Sequence, residues 1–249
     1  MTATVQLGCG IDGLGSMQAG SVDLVLCDPP SGETAADFDV RPNLWAFWIA
    51  AWQALKPSGA AVCFASSLSF AADLIASSRN FRYDIVWHKT LATGHLNARR
   101  RPLRAHEFIL VFYREEGTYN RQMSDGHGPI HQASRRIAQG HGENYGKVTR
   151  ETHSRAGATD RYPTSVLRFS CVGTSSKRRT HPQQKPEPLL QWLTRTYSNP
   201  GDLVVDPFAG SGSGGRAAEA EGRRWLGWDI DARFGAAAPA IPEEGPTKP

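Results

Sequence analysis

The sequence contains little cysteine, and its four cysteines, at positions 9, 27, 63 and 171, include no Cys-x-x-Cys pair. This spacing fits neither a zinc site nor a disulfide framework, which favours a reducing cytoplasmic compartment. Long hydrophobic runs are also missing, and the most apolar stretch, Leu44 to Leu55, is too short to span a bilayer. The first residues, MTATVQLGCG, lack the charged and apolar parts of a signal peptide. We therefore expect a cytoplasmic protein that does not contact a membrane.

Acidic residues are scarce in the middle of the chain. The segment from Arg82 to Lys185 holds 19 basic and 8 acidic residues, whereas the rest of the chain holds 9 basic and 16 acidic residues. This asymmetry predicts a polyanion-binding region on a mildly acidic body, with a solvated basic face as the alternative. All eight histidines also fall in this segment, and His127, His131 and His141 are the candidates for a metal site. Without cysteine or acidic partners at fixed spacing, surface histidines are favoured, and no metal is predicted.

Glycine, by contrast, is abundant from Leu203 to Asp231, in LVVDPFAGSGSGGRAAEAEGRRWLGWDID. The pattern predicts a buried strand, a glycine-rich turn, a helix of small residues and a second strand that ends in carboxylates. Gly210, Gly212 and Gly215 fit G-x-G-x-x-G, and Asp229 lies 19 residues after Gly210, where an acid binds a ribose hydroxyl. These features alone are compatible with an NAD-linked oxidoreductase, with another nucleotide-type ligand, or with glycines that serve only packing.

Asp206 distinguishes between these ligands because it places an acid at the tip of the strand, just before the glycines. A carboxylate there would repel the pyrophosphate of a dinucleotide but suits a cationic ligand. S-adenosylmethionine carries an ammonium and a sulfonium group and no phosphate. The methyl donor is therefore preferred to NAD, which stays open as an alternative.

A second candidate site follows Val22 to Cys27, VDLVLC, which predicts another buried strand. The strand leads directly into Asp28-Pro29-Pro30-Ser31, where two prolines end regular structure and stiffen the backbone. In an open α/β sheet, ligands bind at the carboxyl ends of the strands. We therefore expect Asp28 and Asp206 to face each other across one pocket.

The remaining elements alternate between helix and strand, which predicts an α/β fold with a mostly parallel sheet flanked by helices. The predicted elements are a helix from Asn43 to about Lys56 that Pro57-Ser58-Gly59 ends, a strand from Ala60 to Ala65, a helix from Leu68 to Ser78, strands near Tyr83 to His88 and Glu107 to Tyr113, and a helix from Pro186 to Tyr197. Residues 115–179 show little periodicity. Because the glycine-rich turn comes last, the Rossmann-like domain is predicted to be circularly permuted.

Together the two turns have a plausible chemistry. An exocyclic amine of adenine or cytosine is a poor nucleophile, because its lone pair is delocalised into the ring, and acceptors on its N–H groups localise that pair. The Asp28 carboxylate and the Pro29 carbonyl can supply such acceptors from a rigid turn. The base must first be flipped out of the duplex.

The order DPPS, a basic middle, HPQQKP and DPFAGSG resembles the permuted beta class of DNA amino-methyltransferases, the N6-adenine and N4-cytosine enzymes of phages and restriction-modification systems. The resemblance covers nearly the whole chain before the tail and includes WHKTLATGHLNARRRPLRAHEFILVFYR from Trp87. It implies an S-adenosylmethionine-dependent methyltransferase fold, adenine N6 ahead of cytosine N4 as the methyl acceptor, and double-stranded DNA as partner. It also implies that a homodimer and a cognate restriction nuclease are possible partners.

The resemblance further implies a catalytic half in residues 1–113, a basic target-recognition insertion in 114–180, a cofactor-binding half in 181–235 and a flexible tail in 236–249. The implied catalytic residues are Asp28, Pro29, Pro30 and Ser31. The implied cofactor-binding residues are Cys9, Lys185, Asp206, Phe208, Gly210, Ser211, Gly212 and Asp229. The implied DNA contacts are Lys89, Arg99, Arg100, Arg101, Arg104, Lys177, Arg178 and Arg179.

Two positions depart from the family pattern. Its catalytic motif normally ends in an aromatic residue that stacks on the flipped base, where this chain has Ser31. Phe38 and Trp45 are the candidates to supply that aromatic face, although a place in the core is favoured for each. Loss of a stacking face costs about 1–3 kcal/mol of base binding. The family also has an acid that contacts the adenine of the cofactor, where this chain has Cys9 after Gly8. A degenerate homologue that binds DNA or a partner without turnover is therefore a second hypothesis.

Overall fold

The structure is a computed structural model that describes residues 5–37, 39–130, 155, 157–171 and 184–233. These residues divide into two compact units. One unit comprises the chain up to Asn120 and from Ser165 onward, and the other comprises Arg121–Thr164. The sites described below belong to the first unit.

The first unit is an α/β structure of eight strands and five helices among the described residues. The strands are β1 Val5–Leu7, β2 Val22–Cys27, β3 Leu55–Ala65, β4 Phe81–Thr93, β5 Arg104–Tyr113, β6 Val166–Phe169, β7 Leu203–Asp206 and β8 Arg224–Asp229. The helices are α1 Gly10–Gly15, α2 Leu44–Ala54, α3 Leu68–Ala76, α4 Glu187–Tyr197 and α5 Ser213–Ala220. A short 3₁₀ turn covers His95–Asn97.

The strands form one sheet in the order β1-β8-β7-β2-β3-β5-β4-β6. All neighbouring pairs are parallel except those that involve β5, which runs antiparallel to β3 and β4. The predicted mostly parallel sheet is therefore confirmed. Since β5 reverses direction, its first residues lie at the same edge of the sheet as the carboxyl ends of β2, β7 and β8.

An apolar core covers each face of the sheet. On one face, Leu14, Phe47 and Phe70 from α1, α2 and α3 pack together with the strands. On the other face, Leu189 from α4 and Ala217 from α5 are fully buried against the strands. Strands covered on both sides are continuous apolar runs, which explains why VDLVLC and LVVD can be recognised from sequence.

Several boundaries differ from the prediction. Pro57-Ser58-Gly59 does not end the preceding helix, because α2 stops at Ala54 and these residues form the start of β3. The pairing of β2 with β3 shifts register between Val22 and Leu24, so the extra residues are accommodated in an irregular strand start. The predicted loop from Thr90 to Arg104 is shorter, because β4 continues to Thr93 and β5 begins at Arg104.

The second unit contains a small set of internal contacts among its described residues. Ser124 and Arg161 form an isolated antiparallel bridge. The Arg155 guanidinium lies 4.6 Å from the centre of the Tyr162 ring, and the Arg121 guanidinium lies 5.7 Å from it. These cation–π contacts order two basic side chains around one aromatic ring.

No helix in the described part of the chain has both the length and the apolar content needed to cross a bilayer.

Candidate active site

Three neighbouring parallel strands each deliver an aspartate to the same edge of the sheet. Asp229 ends β8, Asp206 ends β7 and Asp28 directly follows β2, and these strands are adjacent in that order. Neighbouring strands lie about 4.8 Å apart, so the three carboxylates fall within a short span. All three line one cavity of about 370 Å³. Asp28 and Asp206 therefore do face a common pocket, although their positions in the sequence are far apart.

The cavity is completed by segments from most of the first unit. Three groups of residues line it besides the aspartates. Cys9, Gly10 and Ile11 follow β1, residues 40–43 precede α2, and Lys185 and Leu190 lie before and within α4. Phe208, Gly210 and Ser211 from the glycine-rich turn also line it. Of the predicted cofactor residues, Gly212 does not line the cavity and serves as the N-cap of α5, with φ +69°.

Asp206 is held at the base of the glycine-rich turn. Its Oδ1 accepts a hydrogen bond from the Phe208 backbone N–H at 3.0 Å, and its side chain is almost fully buried. Burial, with the nearby negative charges of Asp28 and Asp229, raises the pKa of Asp206 to about 8. A carboxylate in this environment is stabilised by a cation, so this part of the cavity favours a positively charged ligand.

Asp229 is oriented by the backbone on both sides. Its Oδ2 accepts from the Gly210 N–H at 2.9 Å, and its Oδ1 accepts from the Asp231 N–H at 2.8 Å. Gly210 adopts φ +50°, a conformation that favours glycine, and this conformation turns its N–H toward the carboxylate. Each oxygen keeps a second lone pair, so the carboxylate can still accept hydrogen bonds from hydroxyl groups of a ligand.

Asp28 is joined to a buried series of charges. Its Oδ2 lies 2.5 Å from the Lys185 ammonium, which lies 3.3 Å from Glu107 Oε2. Glu107 Oε1 in turn lies 2.5 Å from the Lys89 ammonium. Burial raises the pKa of Asp28, and the Lys185 charge opposes that rise. The pKa of Lys185 is raised above its ordinary value, because attraction by Asp28 and Glu107 outweighs desolvation.

The rest of the DPPS turn is divided between the cavity and the interior. Pro30 lines the cavity, whereas Pro29 and Ser31 are buried beside it. The Ser31 hydroxyl lies 3.5 Å from both carboxylate oxygens of Asp39, which also accept from the N–H groups of Gly32 and Thr34. Ser31 therefore helps to close the turn from inside.

The aromatic residues around the cavity bear on the stacking face that the family pattern has in place of Ser31. Of the described residues that line the cavity, the aromatic ones are Phe64 and Phe208. Trp45 does not line it, and its side chain is 67% exposed on α2. Phe38, the other suggested substitute, lies outside the described residues.

The predicted DNA contacts have different environments. Arg99, Arg100 and Arg101 are exposed in the loop between β4 and β5, and their role as phosphate contacts stays a prediction. Arg104 is half-buried at the start of β5, with its guanidinium 5.9 Å from the centre of the Phe108 ring. Lys177, Arg178 and Arg179 lie outside the described residues.

Lys89 requires a correction to the predicted role as a DNA contact. Its side chain is 9% exposed, and its ammonium is paired with Glu107 rather than directed to solvent. The alternation of β4 turns Lys89 toward the interior, where an uncompensated charge would be costly. Lys89 therefore belongs to the buried charges behind the cavity.

The sequence interpretation misses Glu107 and the loop at positions 40–43. A signal for Glu107 is present, because it is the acid in the otherwise apolar strand EFILVFY. A charge in such a strand needs a buried partner. Ile230, which lines the cavity beside Asp229, cannot be recognised because a single exposed isoleucine has no pattern.

The histidines give no metal centre in the described part of the chain, where no group of three His, Cys, Asp or Glu side chains could hold an ion. His127 shares a 2.7 Å hydrogen bond with the Ser124 hydroxyl. His131 and His141 lie outside the described residues.

Comparison with known proteins identifies relatives of this architecture. A family model for N6/N4 methyltransferases, described as DNA methylase, matches residues 22–238. The DNA adenine methyltransferase YhdJ of Escherichia coli (strain K12) is 50% identical over 54 residues, which is 22% of this chain and 18% of that protein. The type II methyltransferase M.HpaI of Haemophilus parainfluenzae is 27% identical over 240 residues, which is 90% of this chain and 69% of that protein.

Solved structures share the fold. The complex of M1.HpyAVI with SAM has a TM-score of 0.59 at 20% identity, covering 93% of this chain and 94% of that chain. The cytosine-N4-specific PvuII DNA methyltransferase has a TM-score of 0.61 at 17% identity, covering 94% of this chain and 86% of that chain. The predicted methyltransferase fold is thus confirmed. Since the family model spans most of the sequence, the chain belongs to the N6/N4 DNA methylase family.

Proposed function

We propose that this protein is an S-adenosylmethionine-dependent DNA methyltransferase that acts on an exocyclic amine, with adenine N6 preferred to cytosine N4. The observation that carries the proposal is the common cavity onto which Asp28 and Asp206 open from adjacent strands. One carboxylate lies beside a rigid proline turn and the other beside a glycine-rich turn. This pairing suits a methyl acceptor on one side and a cationic methyl donor on the other.

The cavity suits the donor by its charge and by its hydrogen-bond acceptors. Asp206 is an acid whose pKa is raised by burial and by the negative charges of Asp28 and Asp229, and the ammonium of S-adenosylmethionine would stabilise its ionised form. Asp229 is oriented to accept hydroxyl hydrogen bonds from the ribose. When bound, the donor supplies a methyl group made electrophilic by a positively charged sulfur. A pyrophosphate would meet these same carboxylates as repulsive charges, so the family and the site together displace the NAD-linked alternative.

Asp28 is the residue we propose to receive the target amine. Lys185 holds its Oδ2, so the remaining carboxylate oxygen and the Pro29 carbonyl would accept the two N–H groups of the amine. These acceptors localise the nitrogen lone pair and orient it toward the donor. The nitrogen would form its bond to the methyl carbon as the bond from that carbon to the sulfur breaks, which would leave neutral S-adenosylhomocysteine. The methylated nitrogen would then release one proton to Asp28 or to water.

Double-stranded DNA is the proposed acceptor. Glu107 lies near the start of β5, just after the loop between β4 and β5, and it is linked to Asp28 through Lys185. The loop with its exposed arginines therefore lies at the same edge of the sheet as Asp28. Arginines at this edge can bind phosphates while the target base is flipped into the cavity. The circular permutation, a homodimer, a cognate nuclease and the cytoplasmic location stay predictions.

The preference for adenine is supported by one relative, the DNA adenine methyltransferase of E. coli. The structural similarity to a cytosine-N4-specific enzyme is the reason to test both bases. DNA from a methylation-free host that expresses the protein should contain N6-methyladenine, detected by sequencing that reports modified bases. N4-methylcytosine alone would overturn the choice of base but not the reaction class.

The direct test of the reaction is transfer of a labelled methyl group from S-adenosylmethionine to duplex DNA. We expect transfer by the unaltered protein and none by Asp28→Ala. Failure to label DNA of any sequence, by protein that binds the donor, would contradict the proposed function.

Binding without turnover is the second candidate, supported by Ser31 and Cys9. Ser31 is turned inward to Asp39, and Cys9 lines the cavity where the family has an acid. Under this alternative, calorimetry would detect binding of S-adenosylmethionine or DNA while no methylated product accumulates.

A further inference from the structure

Behind the cavity, four side chains of alternating charge form a continuous series that links separate parts of the chain. Lys89 on β4 pairs with Glu107 on β5, Glu107 also contacts Lys185 before α4, and Lys185 contacts Asp28 after β2. The side chains of Lys89, Glu107 and Lys185 are only 9%, 10% and 11% exposed. Opposite charges in such an environment interact strongly because little water screens them.

The two ends of the series have different access to the cavity. Asp28 and Lys185 line it, whereas Lys89 and Glu107 are not among its lining residues. Glu107 therefore reaches the proposed reaction only through the Lys185 ammonium. That ammonium also lies 5.0 Å from the centre of the Phe64 ring, so a carboxylate on one side and an aromatic face on another restrict its position.

We infer that Glu107 is a positioning residue for methyl transfer: anchored by Lys89, it holds Lys185 against one oxygen of Asp28 and thereby directs the other oxygen into the cavity. The inference rests on the proposed function, because it gives Glu107 a role in the same site. The rival explanation is a buried ion-pair network that contributes only to folding.

The two explanations differ in whether loss of Glu107 lowers kcat while donor binding is retained. The charge of Asp28 reports whether Glu107 acts on that residue at all. The series contains two positive and two negative groups, and Cys27 and Asp206 are the other titratable groups near Asp28. Glu107 raises the pKa of Asp28, whereas Lys89 lowers it. Removing one charge at a time should therefore shift the titration of Asp28 in opposite directions.

The test uses Glu107→Gln, Lys89→Met and the double variant, each in the full chain. We expect Glu107→Gln to move the acidic limb of the pH profile of kcat to lower pH, because it removes a negative charge near Asp28. Lys89→Met should move that limb to higher pH, because it removes a positive charge. The double variant should return the limb toward its original position. In Glu107→Gln, kcat at the optimum should fall about 10- to 100-fold, because the acceptor is misplaced, while Kd for S-adenosylmethionine changes less than about twofold.

A matched control is Glu221→Gln, which removes a partly buried carboxylate paired with Arg195 at the far end of α5 from the cavity. It should leave the pH profile unchanged. The inference is overturned if Glu107→Gln and Lys89→Met lower Tm but move the limb in neither direction.

A second measurement separates this inference from the proposed function. Carbon-13 NMR of protein labelled at the aspartate carboxyl groups follows the titration of Asp28 directly, with Asp28→Asn used to assign its signal. Opposite shifts in the two single variants would support the charge coupling even if no methyl transfer were detected. Unchanged titration in both variants would refute it even if the unaltered protein methylates DNA.

Discussion

The Lys185 ammonium lies 2.5 Å from Oδ2 of Asp28, although 157 residues separate them in the chain. The contact joins the segment before α4 to the turn after β2, and so connects the proposed donor-binding and acceptor-binding parts of the cavity. A carboxylate with one oxygen fixed in this way has a defined direction for the other. Removal of the Asp28 carboxylate should therefore affect the chemical step more than ligand binding.

Asp28→Asn is expected to lower kcat for DNA methylation by about 10²- to 10³-fold, because an amide is a weaker acceptor and presents its NH₂ to the Lys185 ammonium or to the target amine. Calorimetry should show nearly unchanged affinity for S-adenosylmethionine. Asp23→Asn, at the opposite end of β2, is the matched control and should keep kcat within a few-fold. Equal losses in both variants would show that the effect on Asp28 is structural.

Asp206 should make both stability and donor binding depend on pH. Burial raises its pKa to about 8 from an ordinary value of about 4, so between these values the folded protein holds a proton that the unfolded chain has lost. This contribution to stability is complete below about pH 4 and is lost as the pH rises through about 8. Asp206→Asn should therefore raise Tm relative to the unaltered protein more at pH 9 than at pH 5.

Donor affinity should change in the opposite sense, because a cationic ligand favours the ionised carboxylate. Binding of S-adenosylmethionine should tighten from about pH 5.5 to about pH 7, with release of a proton, because its α-ammonium stays charged below about pH 8. Adenosine, which carries no cationic group, should show no such trend. Calorimetry in buffers of different ionisation enthalpy measures the proton release. A flat affinity profile, or one that Asp206→Asn leaves unchanged, would remove Asp206 from the donor site.

The exposed arginines of the loop between β4 and β5 should contribute to DNA affinity mainly through phosphates. Replacement of Arg99, Arg100 and Arg101 by alanine should weaken binding to all duplex sequences. It should also reduce the slope of log affinity against log salt by about 0.9 for each phosphate that is no longer neutralised. Arg79→Ala, an exposed arginine just before β4, is the control. If Arg79→Ala weakens binding as much as the loop variant does for each positive charge removed, only net charge matters and the loop has no specific role.

Ser31→Tyr should not restore a stacking platform. Ser31 is only 8% exposed and faces Asp39, so a tyrosine ring there would displace the carboxylate that closes the turn. Such overpacking costs about 1–3 kcal/mol. We expect a lower midpoint of urea unfolding and no gain in methyl transfer. A gain in activity at unchanged stability would mean that the ring reaches the cavity and that Ser31 marks a degenerate site.

Gly10 should be intolerant of any side chain. A Cβ built at Gly10 would lie 1.8 Å from the Pro207 carbonyl oxygen, whereas one at Gly15, at the other end of α1, has its nearest neighbour at 3.8 Å. Gly10→Ala should reduce the free energy of unfolding by about 1–3 kcal/mol or weaken donor binding, because α1 must move away from the turn that follows Asp206. Gly15→Ala should be close to neutral. Similar results for the two variants would contradict the observed approach.

Much of this site can be predicted from the sequence, because short segments determine where the strands that carry its carboxylates end. Two apolar runs that lead into DPPS and DPFAGSG place Asp28 and Asp206 at strand ends, and the spacing to Asp229 adds the third carboxylate. The structure brings these three residues to one cavity, as the rule for carboxyl ends of parallel strands implies. Prediction succeeds where a short segment alone determines the position of a side chain.

Prediction fails where the outcome depends on pairing between distant segments. The basic sequence around Lys89 predicts a surface cation, but the register of β4 with β5 sets this lysine beside Glu107. The short edge strand Val166–Phe169 is not predicted, because its order depends on pairing with β4 rather than on its own sequence. Pro57 is typical of a helix stop, whereas the irregular start of β3 accommodates it.

The reversal of β5 has a consequence for how new specificity could arise in this scaffold. Because β4 and β5 are adjacent antiparallel strands, the ten residues at 94–103 that connect them take part in none of the described strand pairings. This segment can therefore change in length or sequence without breaking one of those pairings. Its two attachment points, Thr93 and Arg104, are paired with each other and stay fixed. The loop between β4 and β5 can thus vary while the strands that carry the proposed catalytic residues keep their pairing, which makes it a suitable position for exchanging recognition segments.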